Sequence, residues 1–529
     1  MMQRIMALGL VVSTLILTTS SLVHAQDYTV SGQVKNLVST DIYLANYYGN
    51  KLYYSDTTKT DKHGNFSFPG KEFDKQGKYA FVIPGPKYFD FLIAGEDVYF
   101  ETDTNLFVPS IKFTKSIDNQ VFFEYIKYIS DMRQGRAACD SVLVKDEFGE
   151  QEKEACREQI ATMNEDVVAY QKNLIQKYGD RLVGKFINMT LDVDIPESVP
   201  AGQDTAMYRY QWYKEHYWDN TDLSDNRMVR EQSIHKLLDR FVNSVIPQVP
   251  DSVCVEAKRL INRVTDQPDL FKYFVHYITH NAEASKLMCM DKVFVYMVDN
   301  YFKTGKAHWM TDEKLKEVIE ASDKKKNVLC EKVFPDIILS DMTDTNWIPV
   351  RSVQSKYTIV AIWETTCGHC KKELPKLQKV HEDWKDLGLT IYAIGNDYER
   401  KEWKEYVAEK ELQDWIHVSD DPLIGNDNPD TVRYVLMNGI TNIESLNYRQ
   451  TLDIQSTPKL FLLDEDKRIV AKQLNSEQIH EILVNLEGYD PSEAKTEDLL
   501  DTKDKSNGIE RERKKKKKKM MKAQRNKTD

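Results

Sequence analysis

The chain has 529 residues, of which 41% are apolar and 29% charged, a composition typical of soluble globular protein and sufficient for several domains. The net charge of −11 is unevenly spread, because the segment from Arg511 onward carries eleven basic and two acidic residues. The remainder is therefore near −20, since −11 minus 9 is −20. An acidic body with a basic tail argues against a nucleic-acid-binding enzyme.

The N-terminus has the pattern of a secretory signal. Arg4 precedes an apolar run over residues 7–17, and small residues flank His24 ahead of a predicted cleavage site at Gln26. An uncleaved membrane anchor is the alternative, although the run is short for a bilayer. No cysteine lies near the cleavage site, which argues against a lipid anchor. We therefore expect residues 1–25 to be a signal peptide and the mature protein to be soluble and exported.

Residues 26–117 are predicted to form an all-β, sandwich-like domain, because short alternating stretches are separated by regularly spaced turn signals. Gly49-Asn50 predicts a two-residue hairpin between the strands that precede and follow it. The predicted strands are Tyr28–Val34, Asp41–Tyr48, Lys51–Thr58, Asn65–Phe68, Lys78–Ile83, Phe89–Ile93 and Asp97–Thr102.

Residues 118–330 are predicted to form an α-helical domain. Apolar side chains recur at helical spacing, as in Phe122, Tyr125 and Ile129. A polar loop is expected near Asp194–Thr205. The pattern leaves the packing of these helices undetermined.

Residues 331–488 alternate strand and helix, which predicts an α/β domain. The predicted elements are strands over 357–363 and 389–395, helices over 371–387 and 399–410, a hairpin of 459–463 with 468–474, and a last helix capped by Ser476. Residues 489–529 are charged and lack apolar periodicity, so we expect a disordered tail.

The most informative motif is Cys367-Gly368-His369-Cys370, between the strand over 357–363 and the helix that follows. At a helix N-terminus, the unpaired N–H groups and the positive end of the dipole favour a thiolate at the first cysteine. A second thiol close by completes a centre for dithiol–disulfide exchange. The motif therefore predicts a redox protein.

Metal binding is not predicted. One CxxC is half of a zinc site, but no second pair of ligands follows it. His276 and His280, with Glu283 one turn on, could face one metal ion. The glutamate that a metalloprotease has directly after the first histidine is absent, so ordinary helix histidines are the better interpretation.

The order strand, CxxC, helix, strand, helix, X-Pro, hairpin, helix resembles the thioredoxin fold. Trp363 and Pro375 match family positions before and after the motif, and Ser456-Thr457-Pro458 matches the family's cis-proline position. The run from Cys370 to Pro375, Cys-Lys-Lys-Glu-Leu-Pro, is similar to the periplasmic TlpA- and ResA-like disulfide reductases. This resemblance covers the α/β domain alone.

Two features depart from that pattern. Thr366 stands where many relatives have a second tryptophan, and the stretch over 421–454 is longer than usual, so a lid is one interpretation of it. The β-rich and helical modules resemble domains found ahead of thioredoxin-like domains in secreted bacterial proteins, which implies architecture and little else.

The two cysteines of the motif have different predicted roles. Cys367, nearer the helix end, is expected to be the nucleophile and Cys370 the resolving thiol, with Cys367–Cys370 as the redox-active disulfide. The resemblance implies that Glu373 manages the proton of the resolving thiol. A solvated surface glutamate is the alternative for Glu373, and Glu364 is a weaker candidate for a role at the site.

Other residues are expected to shape the site or bind substrate, namely Trp363, Gly368, His369, Thr457 and Pro458. An imidazolium at His369 would stabilise the thiolate and make the disulfide more oxidising. A cis Pro458, which has no N–H, would let the backbone of Thr457 offer its groups to an incoming chain; a trans turn proline is the alternative.

The predicted function is that of an exported thiol–disulfide oxidoreductase acting in cell redox homeostasis in the periplasm or cell envelope of a bacterium. The motif alone leaves reductase, isomerase and oxidase open, and the TlpA-like context favours reductase. No dissociable cofactor is expected, because both electrons reside on the sulfur pair. The alternative is an envelope binding or scaffolding protein whose thioredoxin-like domain is vestigial or regulatory.

The expected partners are disulfide-bearing envelope proteins and a membrane-bound thiol electron donor, with no nucleic acid. The lysines of Lys514–Lys519 could make a weak contact with an anionic surface, although a solvated tail is the simpler interpretation. Self-association through the upstream modules is a further expectation.

Five cysteines lie outside the motif: Cys139, Cys156, Cys254, Cys289 and Cys330. Because their number is odd, at least one is unpaired or pairs outside the chain. Cys139 and Cys156 could bridge two neighbouring segments, but buried free cysteines are at least as consistent with the sequence.

Overall fold

The computed structural model describes residues 28–68, 75–85, 87–397, 400–419 and 429–492. The predicted signal peptide and the predicted contact made by Lys514–Lys519 lie outside these residues. The chain groups into two compact units, one of Met1–Val245 with Arg263–Tyr273 and one of Ile246–Asn262 with Phe274–Asp529. The domain boundaries given above stay a prediction.

The first unit contains two four-stranded sheets, which confirms the predicted all-β fold. Its strands are β1 (Val30–Lys35), β2 (Asp41–Tyr48), β3 (Lys51–Lys59), β4 (Asn65–Phe68), β5 (Gly77–Ile83), β6 (Lys87–Ile93), β7 (Val98–Asp103) and β8 (Lys112–Lys115). The strand orders are β4-β1-β7-β8 and β3-β2-β5-β6, and within the described residues of these two sheets only β1 and β7 pair in parallel. Phe66, Phe81 and Phe100 meet in the core with ring centroids 4.9–5.2 Å apart.

Long helices follow the sheets in the first unit. They are α1 (Ile117–Val144), α2 (Glu150–Tyr178), α3 (Leu182–Asn188), α4 (Thr205–His216) and α5 (Ser233–Arg240). The start of α1 is fixed to β6, because the Asn119 side chain accepts from the Leu92 N–H and donates to the Leu92 carbonyl, both at 2.7 Å. Helices α1 and α2 pack as an antiparallel hairpin, with the rings of Tyr128 and Tyr170 4.1 Å apart.

The helical region continues with α6 (Pro250–Arg263), α7 (Pro268–Ala284), α8 (Asp291–Met297) and α9 (Asp312–Lys326). In the second unit, a disulfide joins Cys289, just ahead of α8, to Cys330, beyond α9. The sequence had left the pairing of these two cysteines open.

The α/β part of the second unit has a seven-stranded sheet flanked by helices, which confirms the predicted thioredoxin fold. Its elements are β9 (Ile338–Asp341), β10 (Trp347–Pro349), β11 (Tyr357–Trp363), α10 (Gly368–Trp384), β12 (Leu389–Gly395), α11 (Arg400–Glu409), β13 (Ile416–Ser419), α12 (Pro429–Met437), α13 (Ile443–Leu446), α14 (Tyr448–Thr451), β14 (Lys459–Leu463), β15 (Ile469–Lys472) and α15 (Ser476–Glu487). The strand order is β10-β9-β13-β12-β11-β14-β15.

The central strands β11 and β12 position the motif. They pair in parallel from Tyr357↔Leu389 to Trp363↔Gly395, so their carboxyl ends lie side by side. Strand β11 is buried along its whole length and, apart from Thr358, carries apolar or aromatic side chains rather than alternating polar and apolar ones. One side of the sheet packs on α10, α11 and α15, and the other on the segment around Phe334 and Tyr448.

Three local predictions need correction. Helix α10 begins at Gly368 rather than at 371, so the motif itself forms the first turn. Asn475, not Ser476, caps α15, and its side chain accepts from the Gln478 N–H at 2.8 Å. The lid interpretation is wrong for residues 441–454, because Tyr448 and Leu452 are buried in the core; residues 421–428 lie outside the described residues.

Candidate active site

Cys367 is the N-cap residue of α10, and its sulfur is surrounded by hydrogen-bonding groups. The backbone N–H of Cys370 donates to Cys367 Sγ at 3.2 Å, and the Cys367 thiol donates to the carbonyl oxygen of Thr457 at 3.4 Å. Partial burial opposes ionisation, but hydrogen bonds from Cys370, Thr457 and the helix backbone outweigh it and hold the pKa of Cys367 below its ordinary value. The predicted thiolate position therefore has the geometry that a thiolate needs.

Cys370 has the opposite environment. It is fully buried in the core, together with Trp363 and Leu374. Burial, followed by its hydrogen bond with Cys367, raises the pKa of Cys370 to about 12. Both cysteines are free thiols, so the structure represents the reduced centre.

The Thr457–Pro458 peptide bond is cis, as the sequence predicts. Both residues are half-buried, and the Thr457 carbonyl faces the Cys367 sulfur. The next residue, Lys459, is fixed by a hydrogen bond from its Nζ to the Asp453 carbonyl at 3.0 Å. The cis-proline loop therefore forms one wall of the site beside the nucleophile.

The other residues expected to shape the site differ in exposure. Trp363 is fully buried and packs on Tyr406 with ring centroids 5.4 Å apart, so it supports the site from below and cannot touch a client directly. Gly368 and His369 are exposed, and no atom lies within 4 Å of the position that a Cβ of Gly368 would occupy. These two residues therefore form the accessible rim of the site.

Glu373 is half-buried, and its carboxylate accepts a hydrogen bond from the backbone N–H of Ser476 at the start of α15. The carboxylate is therefore held by the backbone at the start of α15 and is only partly exposed to solvent. This bond holds Glu373 on the helix turn after Cys370 and gives it a structural role, while its acid–base role stays a prediction.

A polar network beside the motif was missed by the sequence analysis. The side-chain amide of Asn396 donates to Glu364, and its oxygen accepts from Tyr448 OH at 2.6 Å and from Arg449 Nε at 2.5 Å. The backbone N–H of Asn396 also donates to the Trp363 carbonyl at 2.8 Å. The network links the ends of β11 and β12 to α14, which leads into the cis-proline loop.

Asp397 was also missed. Its carboxylate accepts from the backbone N–H of Thr365 at 2.8 Å and from the Thr365 hydroxyl at 2.6 Å, so it fixes the loop ahead of Cys367. Burial raises the pKa of Asp397, although the bonds from Thr365 oppose that shift. Asn396 and Asp397 directly follow β12, which pairs with β11, the strand ahead of the motif. Their position at the end of a predicted strand was the feature of the sequence that could have pointed to the site.

Within the described residues, no group of three or more histidine, cysteine or acidic side chains could hold a metal ion. The same residues contain no helix that is long and apolar enough to cross a membrane.

Three family models match consecutive parts of the chain. A domain of unknown function, DUF4369, matches residues 28–122, a second one, DUF5106, matches 147–325, and the AhpC/TSA family matches 330–472. A relative, the thiol-disulfide oxidoreductase ResA of Bacillus cereus, is 23% identical over 159 residues, which are 30% of this chain and 75% of that protein.

Two solved structures are also similar. A domain of a possible thiol-disulfide isomerase from Cytophaga hutchinsonii is 29% identical with a TM-score of 0.25, covering 30% of this chain and 95% of that one. A thioredoxin-like protein from Bacteroides caccae is 15% identical with a TM-score of 0.40, covering 56% of this chain and 99% of that one.

The AhpC/TSA and ResA matches confirm the predicted resemblance and the thioredoxin-like oxidoreductase class of this region. The C-terminal part of the chain is a thioredoxin-like domain that is similar to the AhpC/TSA family, and the parts before it match two domains of unknown function.

Proposed function

We propose that the protein is an exported thiol–disulfide oxidoreductase that reduces disulfides of envelope proteins. The observation that carries this proposal is the asymmetry of the motif. Cys367 lies at a helix N-terminus with a lowered pKa, whereas Cys370 is buried one helical turn away with a raised one. A centre that attacks with one sulfur and resolves with the other needs this difference.

The reaction has two exchange steps. In the first, the Cys367 thiolate attacks one sulfur of the client disulfide, forms a mixed disulfide and expels the other client sulfur as a thiolate. In the second, Cys370 loses its proton and attacks Cys367 Sγ, which releases the client as a dithiol. The client gains two electrons, and the centre is left as the Cys367–Cys370 disulfide.

The second step needs a proton acceptor, because Cys370 ionises only with difficulty in its buried position. Formation of the mixed disulfide removes the hydrogen bond between the two thiols and the repulsion by the Cys367 thiolate, both of which raise the pKa of Cys370. Glu373, on the next turn of α10, is the proposed acceptor. Its bond to the Ser476 N–H keeps it in place.

The cis-proline loop is the proposed binding site for the backbone of the client protein. The Thr457 carbonyl is 3.4 Å from Cys367 Sγ, so a peptide lying along Thr457 would bring its own sulfur close to the nucleophile. Pro458 has no N–H of its own, which leaves the Thr457 backbone to make the contact. The exposed Gly368 and His369 would face the same peptide.

The direction of exchange depends on the reduction potential. Wherever the His369 side chain carries a positive charge, that charge would favour the thiolate and hence a more oxidising couple. The reduction potential is about −180 mV for protein disulfide isomerases and about −270 mV for thioredoxin. This difference corresponds to roughly 4 kcal/mol for the transfer of two electrons. We propose a reductase because the relative matched in this region is ResA. A membrane-bound thiol protein would then restore the dithiol, and no dissociable cofactor would be needed.

Insulin reduction tests the proposal, with Cys367→Ser as the matched control that keeps the site's shape. We expect the wild-type chain to accelerate dithiothreitol-driven precipitation of insulin and the variant to lose the acceleration. Cys370→Ser should instead accumulate a mixed disulfide with insulin. An inactive wild type, or an equally active Cys367→Ser, would favour a scaffolding protein with a vestigial thioredoxin-like domain. A potential near that of isomerases would reject the reductase direction.

A further inference from the structure

A second pair of thiols lies in the hairpin of α1 and α2, within the first unit. Cys139 is in the last two turns of α1, and Cys156 is in the first two turns of α2. Cys139 Sγ donates to Gln159 Oε1 at 3.3 Å, and Cys156 lies three residues before Gln159, one turn closer to the connection between the helices. Residues three or four apart are neighbours on one face of a helix, so Cys156 lies on the face of α2 that meets Cys139.

The two helices approach closely at this level. Gly135 lies one turn before Cys139 on the same face of α1, and a Cβ there would be 2.7 Å from Met163 Cε of α2. Interaction with the Cys156 thiol is the first cause that raises the pKa of Cys139, followed by burial, so the two thiols influence each other across the hairpin. Both thiols are free, with Cys139 buried and Cys156 half-buried.

We propose that Cys139 and Cys156 form a second redox site, which is oxidised to a disulfide that cross-links the α1–α2 hairpin. The reaction partner is a disulfide, either of a small thiol or of an oxidising protein. Cys156, the more accessible thiol, attacks it as a thiolate and expels one partner sulfur. Cys139 then loses its proton and displaces the other, so two electrons pass to the partner, which leaves as two thiols.

This site is independent of the motif at Cys367. Its sulfurs come from two helices that are joined by a short connection over 145–149, so the disulfide closes a loop and restrains the hairpin. Neither cysteine is at a helix N-terminus, so nothing activates one of them as a fast nucleophile. The expected role is a slow covalent lock on the hairpin rather than turnover of clients.

Differential alkylation of the full chain tests the proposal, with glutathione disulfide as the probe. After equilibration in glutathione buffers and an acid quench, free thiols are labelled, the chain is digested with trypsin, and linked peptides are identified by mass spectrometry. We expect a cross-link between residues 137–145 and 154–157. Cys254, a buried free thiol on α6, should stay labelled.

Two variants make the result decisive. Cys156→Ser should abolish the cross-link and leave Cys139 labelled, and a Cys367→Ser/Cys370→Ser chain should form the cross-link normally. Oxidation should also slow proteolysis within the hairpin by about tenfold in the wild type and not in Cys156→Ser. The proposal fails if both thiols stay labelled in the most oxidising buffer, if only glutathione adducts form, or if the cross-link joins two chains.

Discussion

The asymmetry between Cys367 and Cys370 predicts selective alkylation. In the reduced protein, we expect iodoacetamide to modify Cys367 and leave Cys370 almost untouched. Hydrogen bonds at the start of α10 lower the pKa of Cys367 below the ordinary 9.0, while burial raises the pKa of Cys370 to about 12. The difference is therefore at least about three pKa units.

These two pKa values allow the ratio of the alkylation rates of Cys367 and Cys370 to be worked out. At pH 7.5, three pKa units correspond to about a thousandfold difference in thiolate fraction. A thiolate of higher pKa is intrinsically more nucleophilic, with a Brønsted coefficient of about 0.4–0.5. This effect favours Cys370 by a factor of about 15–30 and offsets part of the difference in thiolate fraction. From the thiolate fraction and the nucleophilicity together, Cys367 should therefore be alkylated about 30-fold faster than Cys370 or more. The complete burial of Cys370 should increase the ratio further.

The assay is a timed iodoacetamide pulse, followed by denaturation and a second, isotopically distinct label. Both cysteines fall in one tryptic peptide, and fragment ions separate them. Cys254 provides an internal control, because burial raises its pKa to about 11 and it should react slowly as well. Comparable labelling of Cys370 would refute the reasoning. So would a pH profile in which the reactivity of Cys367 has its inflection at 9 or above.

Two further predictions concern stability. Burial lowers the pKa of His417 to about 4, against about 6.5 in the unfolded chain, so stability is complete above pH 6.5 and falls as His417 is forced to protonate. Urea unfolding should show a loss of about 3 kcal/mol between pH 7 and pH 4 that is largely absent in His417→Gln; equal losses would contradict this assignment. The disulfide between Cys289 and Cys330 spans 41 residues, so replacing both by alanine should cost about 4 kcal/mol at pH 7, and an unchanged urea midpoint would contradict it.

The strands that carry the site could be predicted because each is a strong local signal. Tyr357–Trp363, Leu389–Gly395 and Lys459–Leu463 have the predicted bounds, since each is a mostly apolar run of the kind that a sheet buried on both faces requires. The strands that were missed, β8, β9, β10 and β13, have four residues or fewer. No periodicity is visible over that length.

The residues missed at the site depend on long-range pairing. Asn396 acts on Glu364 and Tyr448 only because β12 lies beside β11 and α14 lies close to the ends of both strands. The position of Asn396 directly after a predicted strand indicates that it lies near the motif, but its partners cannot be identified from the local sequence. The pairing of Cys289 with Cys330 is similar, because spacing alone does not choose among the five cysteines outside the motif.

The two thiol pairs also show why proximity of sulfurs does not by itself make a catalytic centre. In the motif, one helix supplies both effects, because its N-terminus stabilises the thiolate of Cys367 and its first turn buries Cys370. In the hairpin, Cys139 lies near the C-terminal end of α1, where the helix dipole disfavours a negative charge. Exchange at Cys139 and Cys156 should therefore be slow in both directions, which suits a cross-link that persists, whereas the motif at Cys367 suits repeated transfer.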